Sequence, residues 1–161
     1  MIRSFLGQPR DKVPSSGDLL VDPTLLDAIT SDGRVLSVAG YPTGRHHSLV
    51  KAAEARLAVQ CGATEIVVVL DDTRLFDSYA VMSELIALRE SVTQPAKLIL
   101  AVDTLLVDPM QARTLAHYAH KCAFDGVLMG WKESAPEFFQ ELPPLEILSF
   151  TPGYGTLITK G

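Results

Sequence analysis

The sequence predicts an α/β fold built on a parallel sheet of about five strands. Apolar runs rich in Val, Leu and Ile recur at Val35 to Ala39, Ile66 to Leu70, Leu98 to Val102, Gly126 to Met129 and Leu145 to Phe150. They lack polar alternation, as strands covered on both faces do. Segments with helical periodicity separate the first four runs, and the strand starts are about thirty residues apart, the length of a βαβ unit. Consecutive right-handed βα units are therefore the expected topology.

The leading segment through Asp32 contains Pro9, Pro14, Gly17 and Pro23, and has helical character only from Thr24 to Ile29. Residues 1–32 are expected to form an N-terminal arm that packs on the domain or is partly a flexible tail, leaving 33–161 as the (β/α) domain. After the first run, Leu49, Ala53 and Leu57 separate only weakly from Val50 and Lys51 on a helix. Tyr79, Met82, Leu85 and Ile86 make a clearer apolar stripe on the next. The third helix is the best punctuated: Asp108 caps it, Pro109 sits where a missing N–H costs nothing, and Ala112, Leu115, Ala116 and Ala119 repeat at helical spacing through Lys121. Ser134 opens a brief helix through Phe139, Pro143 and Pro144 end it, and the strand from Leu145 follows. Thr151 to Gly155 reads as a closing turn, which is also able to cup a small anion on its backbone N–H groups.

A chain of 161 residues with 47% hydrophobic content has material for one real core. A net charge of −5 supplies no basic face for nucleic acid. Cys61 and Cys122 match no metal or redox spacing and read as reduced thiols. The apolar run at Met1 to Gly7 is too short for a signal peptide and no stretch is long enough for a membrane span, so the expected location is cytoplasmic.

Tyr41-Pro42-Thr43-Gly44, then Lys51 with Glu54-Ala55, then Gly62-Ala63-Thr64-Glu65-Ile66 form an ungapped pattern. It resembles the deoxyribose-phosphate aldolase family, whose corresponding motifs read F-P-x-G, K-x-x-E-A and G-A-D-E-I-D. A weaker match runs through Lys97 to Leu100 and Ala123 to Val127, so the resemblance covers about residues 35–130. It implies a (β/α) barrel, but a closed one uses eight strands and about 250 residues. The chain is thus expected to form a partial TIM-barrel-like sheet of about five strands, not a complete eight-stranded barrel. The open edge of such a sheet needs a cover: a second copy, a protein partner, or a flattened sheet lined by its own helices.

The resemblance also implies a Schiff-base lysine, in a segment that reads D-F-V-K-T-S-T-G in the family. Here the segment is Asp125 to Trp131 and Leu128 holds the lysine's place. Val67 stands where the family has the aspartate that assists proton transfer, and the family's second lysine has no counterpart. An aliphatic side chain cannot form an imine. The expectation is a protein inactive in the family reaction, acting in binding, regulation or oligomerisation. The alternative is an active lyase on a small aldehyde or sugar phosphate, with Lys132 as a displaced nucleophile or with a His/Asp rim. Lys51 is expected to pair with Glu54 or a neighbouring carboxylate.

That rim follows from reading the strand ends, where parallel α/β folds place their sites. It comprises Tyr41, Thr43, Arg45, His46 and His47 after the first run, Asp71 and Asp72 after the second, and Asp103 and Thr104 after the third. Asp71 and Asp103 are candidates for acid–base work and equally good turn residues. Thr43, Arg45, His46 and His47 are the candidate ligand group, for a phosphate or carboxylate at the helix start near Ser48. His117 and His120 share a helix face but lack a third ligand, so no metal and no cofactor is assigned.

Overall fold

The computed structural model describes residues 1–161 and contains a closed barrel of eight parallel strands. They are β1 (Ile2–Ser4), β2 (Leu19–Leu20), β3 (Val35–Ala39), β4 (Glu65–Val69), β5 (Lys97–Val102), β6 (Gly126–Met129), β7 (Glu146–Ser149) and β8 (Thr156–Lys160). Each pairs with the next, and β8 returns to β1 with Ile158 opposite Ile2. The expected partial sheet of about five strands is therefore wrong. The five apolar runs are β3 to β7, while β1 and β2 lie in the supposed arm and β8 follows the supposed closing turn. Strands of three and two residues are too short to show a periodic signal. β8, Thr-Leu-Ile-Thr-Lys, buries only Ile158 fully and so shows no continuous run.

The chain closes a barrel in 161 residues because it economises on helices. Only α1 (Ser48–Gln60), α2 (Ser78–Ser91) and α3 (Pro109–Lys121) are full crossovers, and they link β3 through β6. Elsewhere the links carry single 3-10 segments, at Arg10–Lys12, Pro23–Ala28 and Pro136–Phe139, and β7 reaches β8 through the turn at 150–155. The strand circle is complete and leaves no sheet edge for a partner to cover.

Side chains alternate across the barrel wall, producing two cores. Facing inward are Ile2, Leu20, Leu36, Val38, Val67, Val69, Ile99, Ala101, Leu128, Leu148 and Ile158. Register places Val38 beside Val67 and Val67 beside Ile99. It likewise places Ala101 beside Leu128 and Leu128 beside Leu148. The outward set, including Ile66, Val68, Leu98, Leu100 and Val127, packs under Ala55, Leu85, Leu88, Leu115 and Ala116 of the helices.

The barrel floor is polar. Arg34, just before β3 and in phase with Leu36 and Val38, donates through Nε and Nη2 to Glu65 at 2.8 and 2.6 Å. Nη1 and Nη2 donate to Glu146 at 2.9 and 2.8 Å. β7 lies opposite β3 in the circle of eight, so one guanidinium bridges the lumen. Hydrogen bonds to Glu65 first, against the cost of burial, then to Glu146, raise its pKa above the usual arginine value.

The helices begin as their sequences dictate. Asp108 accepts from the Gln111 N–H, and the Gln111 side chain accepts from the Asp108 N–H, both at 2.8 Å. This capping box starts α3 at Pro109, and Asp77 caps α2 through the Ala80 N–H. His47 gives α1 no side-chain cap. Gly44 has φ +71°, and a Cβ there would collide with the Leu70 carbonyl, so the motif glycine is required by close packing of the loop after β3 on β4.

Candidate functional site

The C-terminal ends of the strands form the barrel mouth. Below it, the lumen is aliphatic through Val67, Val69, Ala101, Leu128 and Leu148. Leu128 and Val67 are fully buried there, on β6 and β4, and point no polar atom into the lumen. Tyr41 and Trp131 meet edge to face over the mouth, ring centroids 5.1 Å apart, and pack with Leu6 and Phe150 on the inner core. Burial, followed by the negative charge of Asp22, raises the Tyr41 hydroxyl above its ordinary pKa. The aromatic pair and its neighbours make a lid of side chains rather than a pocket.

The predicted rim residues divide between two places. A cavity of about 40 Å³ beside Trp131 is lined by Thr43, Asp72 and Asp103, room for little more than a water molecule. A wider cleft of about 580 Å³ lies outside the barrel, between the starts of α1 and α2, and takes in Arg45, His46, His47, Asp71, Arg74 and Glu84. Lys132 lines neither and is exposed.

Local hydrogen bonds explain most of these side chains. Asp103 accepts from the Leu105 N–H at 2.9 Å. Asp71 accepts from the Thr73 hydroxyl at 2.6 Å and its N–H at 2.9 Å, which lower the Asp71 pKa. Arg45 donates to Asp72 at 2.5 Å, and that bond raises the Arg45 pKa. His117 and His120 are exposed on α3. No group of three or more His, Cys, Asp or Glu side chains converges as a metal site. The turn at 151–155 is braced from within: the Ser149 hydroxyl contacts the carbonyls of Thr151 and Tyr154 at 3.0 and 2.8 Å, and Tyr154 stacks on Phe139.

Lys51 backs the cleft. It is 1% exposed, donates to the carbonyls of Gly44 and Val69 at 2.7 and 3.1 Å, and ion-pairs with Glu84 of α2. Its partner is thus not Glu54, which accepts from the Gly40 N–H at 2.8 Å. Glu84 Oε1 meets the ammonium and takes no other hydrogen bond. Burial raises the Glu84 pKa and Lys51 opposes that shift. Sequence reasoning missed Glu84, because the contact depends on how two helices pack. It also missed Arg34, whose only signal was its phase with Leu36 and Val38.

No protein-family model matches the chain. It is 45% identical over 108 residues to the deoxyribose-phosphate aldolase of Corynebacterium jeikeium, covering 66% of this chain and 40% of that protein. It is 34% identical over 109 residues to the deoxyribose-phosphate aldolase of Nocardia farcinica, covering 66% and 49%. The chain resembles the deoxyribose-phosphate aldolases. It spans less than half the length of these two curated relatives. Among solved structures, the tetrameric deoxyribose phosphate aldolase of Aeropyrum pernix aligns over 98% of this chain and 84% of its own, with TM-score 0.78 and 16% identity. An aldolase called QR15 gives TM-score 0.78 and 16% identity over 92% and 78%. At that identity these structures establish the fold, and agree with a closed barrel.

The motifs behind the aldolase resemblance are framework here. Gly44 packs on β4, Glu54 holds the Gly40 N–H, Lys51 ties three elements together, and Glu65 anchors the floor.

Proposed function

We propose that this chain is an aldolase-like barrel that does not carry out Schiff-base catalysis and acts instead as a self-associating, ligand-binding protein. The observation that supports the reading is the aliphatic lumen: Leu128 and Val67, which the sequence resemblance sets where the family has its lysine and aspartate, are buried in it, and Tyr41 and Trp131 pack at its mouth. An imine needs a neutral amine with access to a carbonyl. The one buried lysine, Lys51, is outside the lumen and is held by Glu84 and two carbonyls.

The ligand is a small phosphate or carboxylate taken by Arg45, His46 and His47 at the uncapped start of α1, where free N–H groups favour negative charge. Thr43 braces that loop by accepting from the Arg45 N–H at 3.3 Å. Self-association is in keeping with the tetrameric Aeropyrum pernix relative and with apolar side chains exposed on α1 and α2. The competing lyase reading, through Lys132 or the Asp71, Asp103 and His46 rim, is disfavoured because Asp103 and Lys132 lie away from the cleft that holds His46 and Asp71.

The test is cleavage of deoxyribose 5-phosphate by the purified chain. No rate above the buffer blank is expected, and turnover that survives repurification would overturn the proposal.

A further inference from the structure

We infer that the loops after β4 and β5, with the starts of α2 and α3, form a docking surface for a basic amphipathic peptide segment of another protein. The start of α2 separates this surface from the anion-binding cleft proposed above, and the inference does not depend on that reading.

The two loops follow adjacent, paired strands and so lie side by side at the barrel mouth. Leu75 of one and Leu106 of the other line the same small cavity next to Trp131, which sets the loops against each other. Around it, Phe76 is 68% exposed, Leu105 71%, Leu106 48% and Met110, in the first turn of α3, 70%. These four side chains belong to neither core, so packing on folding does not account for them. Beside Phe76 a groove of about 140 Å³ runs between the start of α2 and the side of α3, with Leu75, Leu115 and Tyr118 in its walls. A benzene-sized group fills such a volume, so the groove suits one leucine or phenylalanine anchor.

The charges beside the groove decide what the anchor is attached to. Asp77 caps α2 and Asp108 caps α3, each a full negative charge against the half charge of the helix end it meets. Asp103 lies next to Leu106, and no cation lines the groove. The arginines of the neighbouring loops are placed elsewhere: Arg45 pairs with Asp72, and Arg74 lines the cleft on the α1 side with Asp71. Apolar side chains are exposed on the outer helix faces as well, at Leu49, Leu57 and Ile86. There they border Arg56 and Glu90, one charge of each sign, whereas the groove is flanked by aspartates alone. An apolar patch with charge of one sign selects apolar anchors flanked by the opposite charge. A second copy brings a net charge of −5, and anionic lipid and nucleic acid are also negative, so all three meet repulsion that a lysine- or arginine-rich segment does not.

Fluorescence anisotropy with a labelled amphipathic peptide of leucine and lysine tests this, alongside one peptide with glutamate for lysine and one with glutamine for leucine. The leucine–lysine peptide should saturate, the other two should not, and hydrogen–deuterium exchange should show protection confined to residues 71–80 and 103–118. Phe76→Ser and Leu105→Ser, both at exposed positions, should each weaken binding about tenfold, as loss of an interface anchor does. Asp77→Asn with Asp108→Asn keeps a capping side chain on each helix and should weaken binding by a similar factor and flatten its salt dependence. Asp32→Asn with Glu141→Gln, the same change in charge on the loops before the strands, should leave binding unchanged. No saturation up to about 1 mM would overturn the inference. Equal binding of either control peptide, equal loss with the Asp32 and Glu141 variant, or protection elsewhere would also overturn it. Binding of the unmodified chain to anionic vesicles, or a dimer in light scattering that Phe76→Ser abolishes, would give the patch to a membrane or to a second copy and overturn it too.

Discussion

Lys51 of α1 and Glu84 of α2 form an ion pair from which water is almost wholly excluded, with side chains 1% and 9% exposed. The same ammonium holds the carbonyls of Gly44 and Val69, so one lysine joins the loop after β3, the end of β4 and the second helix. Replacing it with methionine leaves the Glu84 carboxylate buried without its cation. Lys51→Met should cost about 3–5 kcal/mol in urea unfolding, and adding Glu84→Leu should restore most of that loss, because the pair itself is worth little against an apolar replacement.

The same pair sets a pH dependence. Burial lifts Glu84 above its ordinary value of 4.5, so between that value and its raised pKa the native state holds more proton than the unfolded chain. Its contribution to stability therefore falls as pH rises through that interval and is level above it. Unfolding free energies measured from pH 4 to 7 should show the unmodified chain losing ground to Glu84→Gln as pH increases. A difference that is flat, or that grows in the opposite sense, would refute the assignment.

Arg34 is the second structural ion-pair centre. Glu65, with its side chain 4% exposed, depends on Arg34 for its charge partner, while Arg34 itself is 31% exposed. Arg34→Met should destabilise the barrel by about 2–3 kcal/mol, below the cost of breaking a fully buried pair because water screens the guanidinium. Glu146→Gln should cost less, since Glu146 is 35% exposed and keeps the Thr156 hydroxyl as a partner. Thermal melts of the two variants rank them directly.

Closure of the sheet makes residues 1–32 integral. Deleting them removes β1 and β2, leaves β3 and β8 with unpaired edges, and uncovers the lumen beside Leu36 and Ile158. The shortened chain should lose cooperative thermal unfolding and bind a hydrophobic dye. A sharp melt close to that of the full chain would show that the first strands are dispensable.

How far the fold could be read from sequence depended on how much side-chain pattern each element carries. β3 to β7 announced themselves as apolar runs, and α3 as a capped, periodic helix, because those elements are long and covered on both sides. Ile2–Ser4 and Leu19–Leu20 have too few residues to show a period, and only their pairing with β8 and β3 makes them strands. Counting visible runs therefore gave an open sheet. The candidate site divided for a related reason. The residues after each strand were identified, but sequence cannot tell whether a loop turns toward the mouth, as at Thr43 and Asp103, or outward to the helices, as at His46 and Asp71. Leu128 and Val67 were legible as departures from the aldolase pattern; their place in the inner core needed the closed barrel.

The lumen offers no amine to a carbonyl. Incubation of the purified chain with acetaldehyde and borohydride, followed by intact mass and peptide mapping, tests it most directly. No stoichiometric adduct is expected, only slow, scattered modification of exposed lysines such as Lys132. Stoichiometric trapping at one lysine, quenched by a competing aldol substrate, would contradict it.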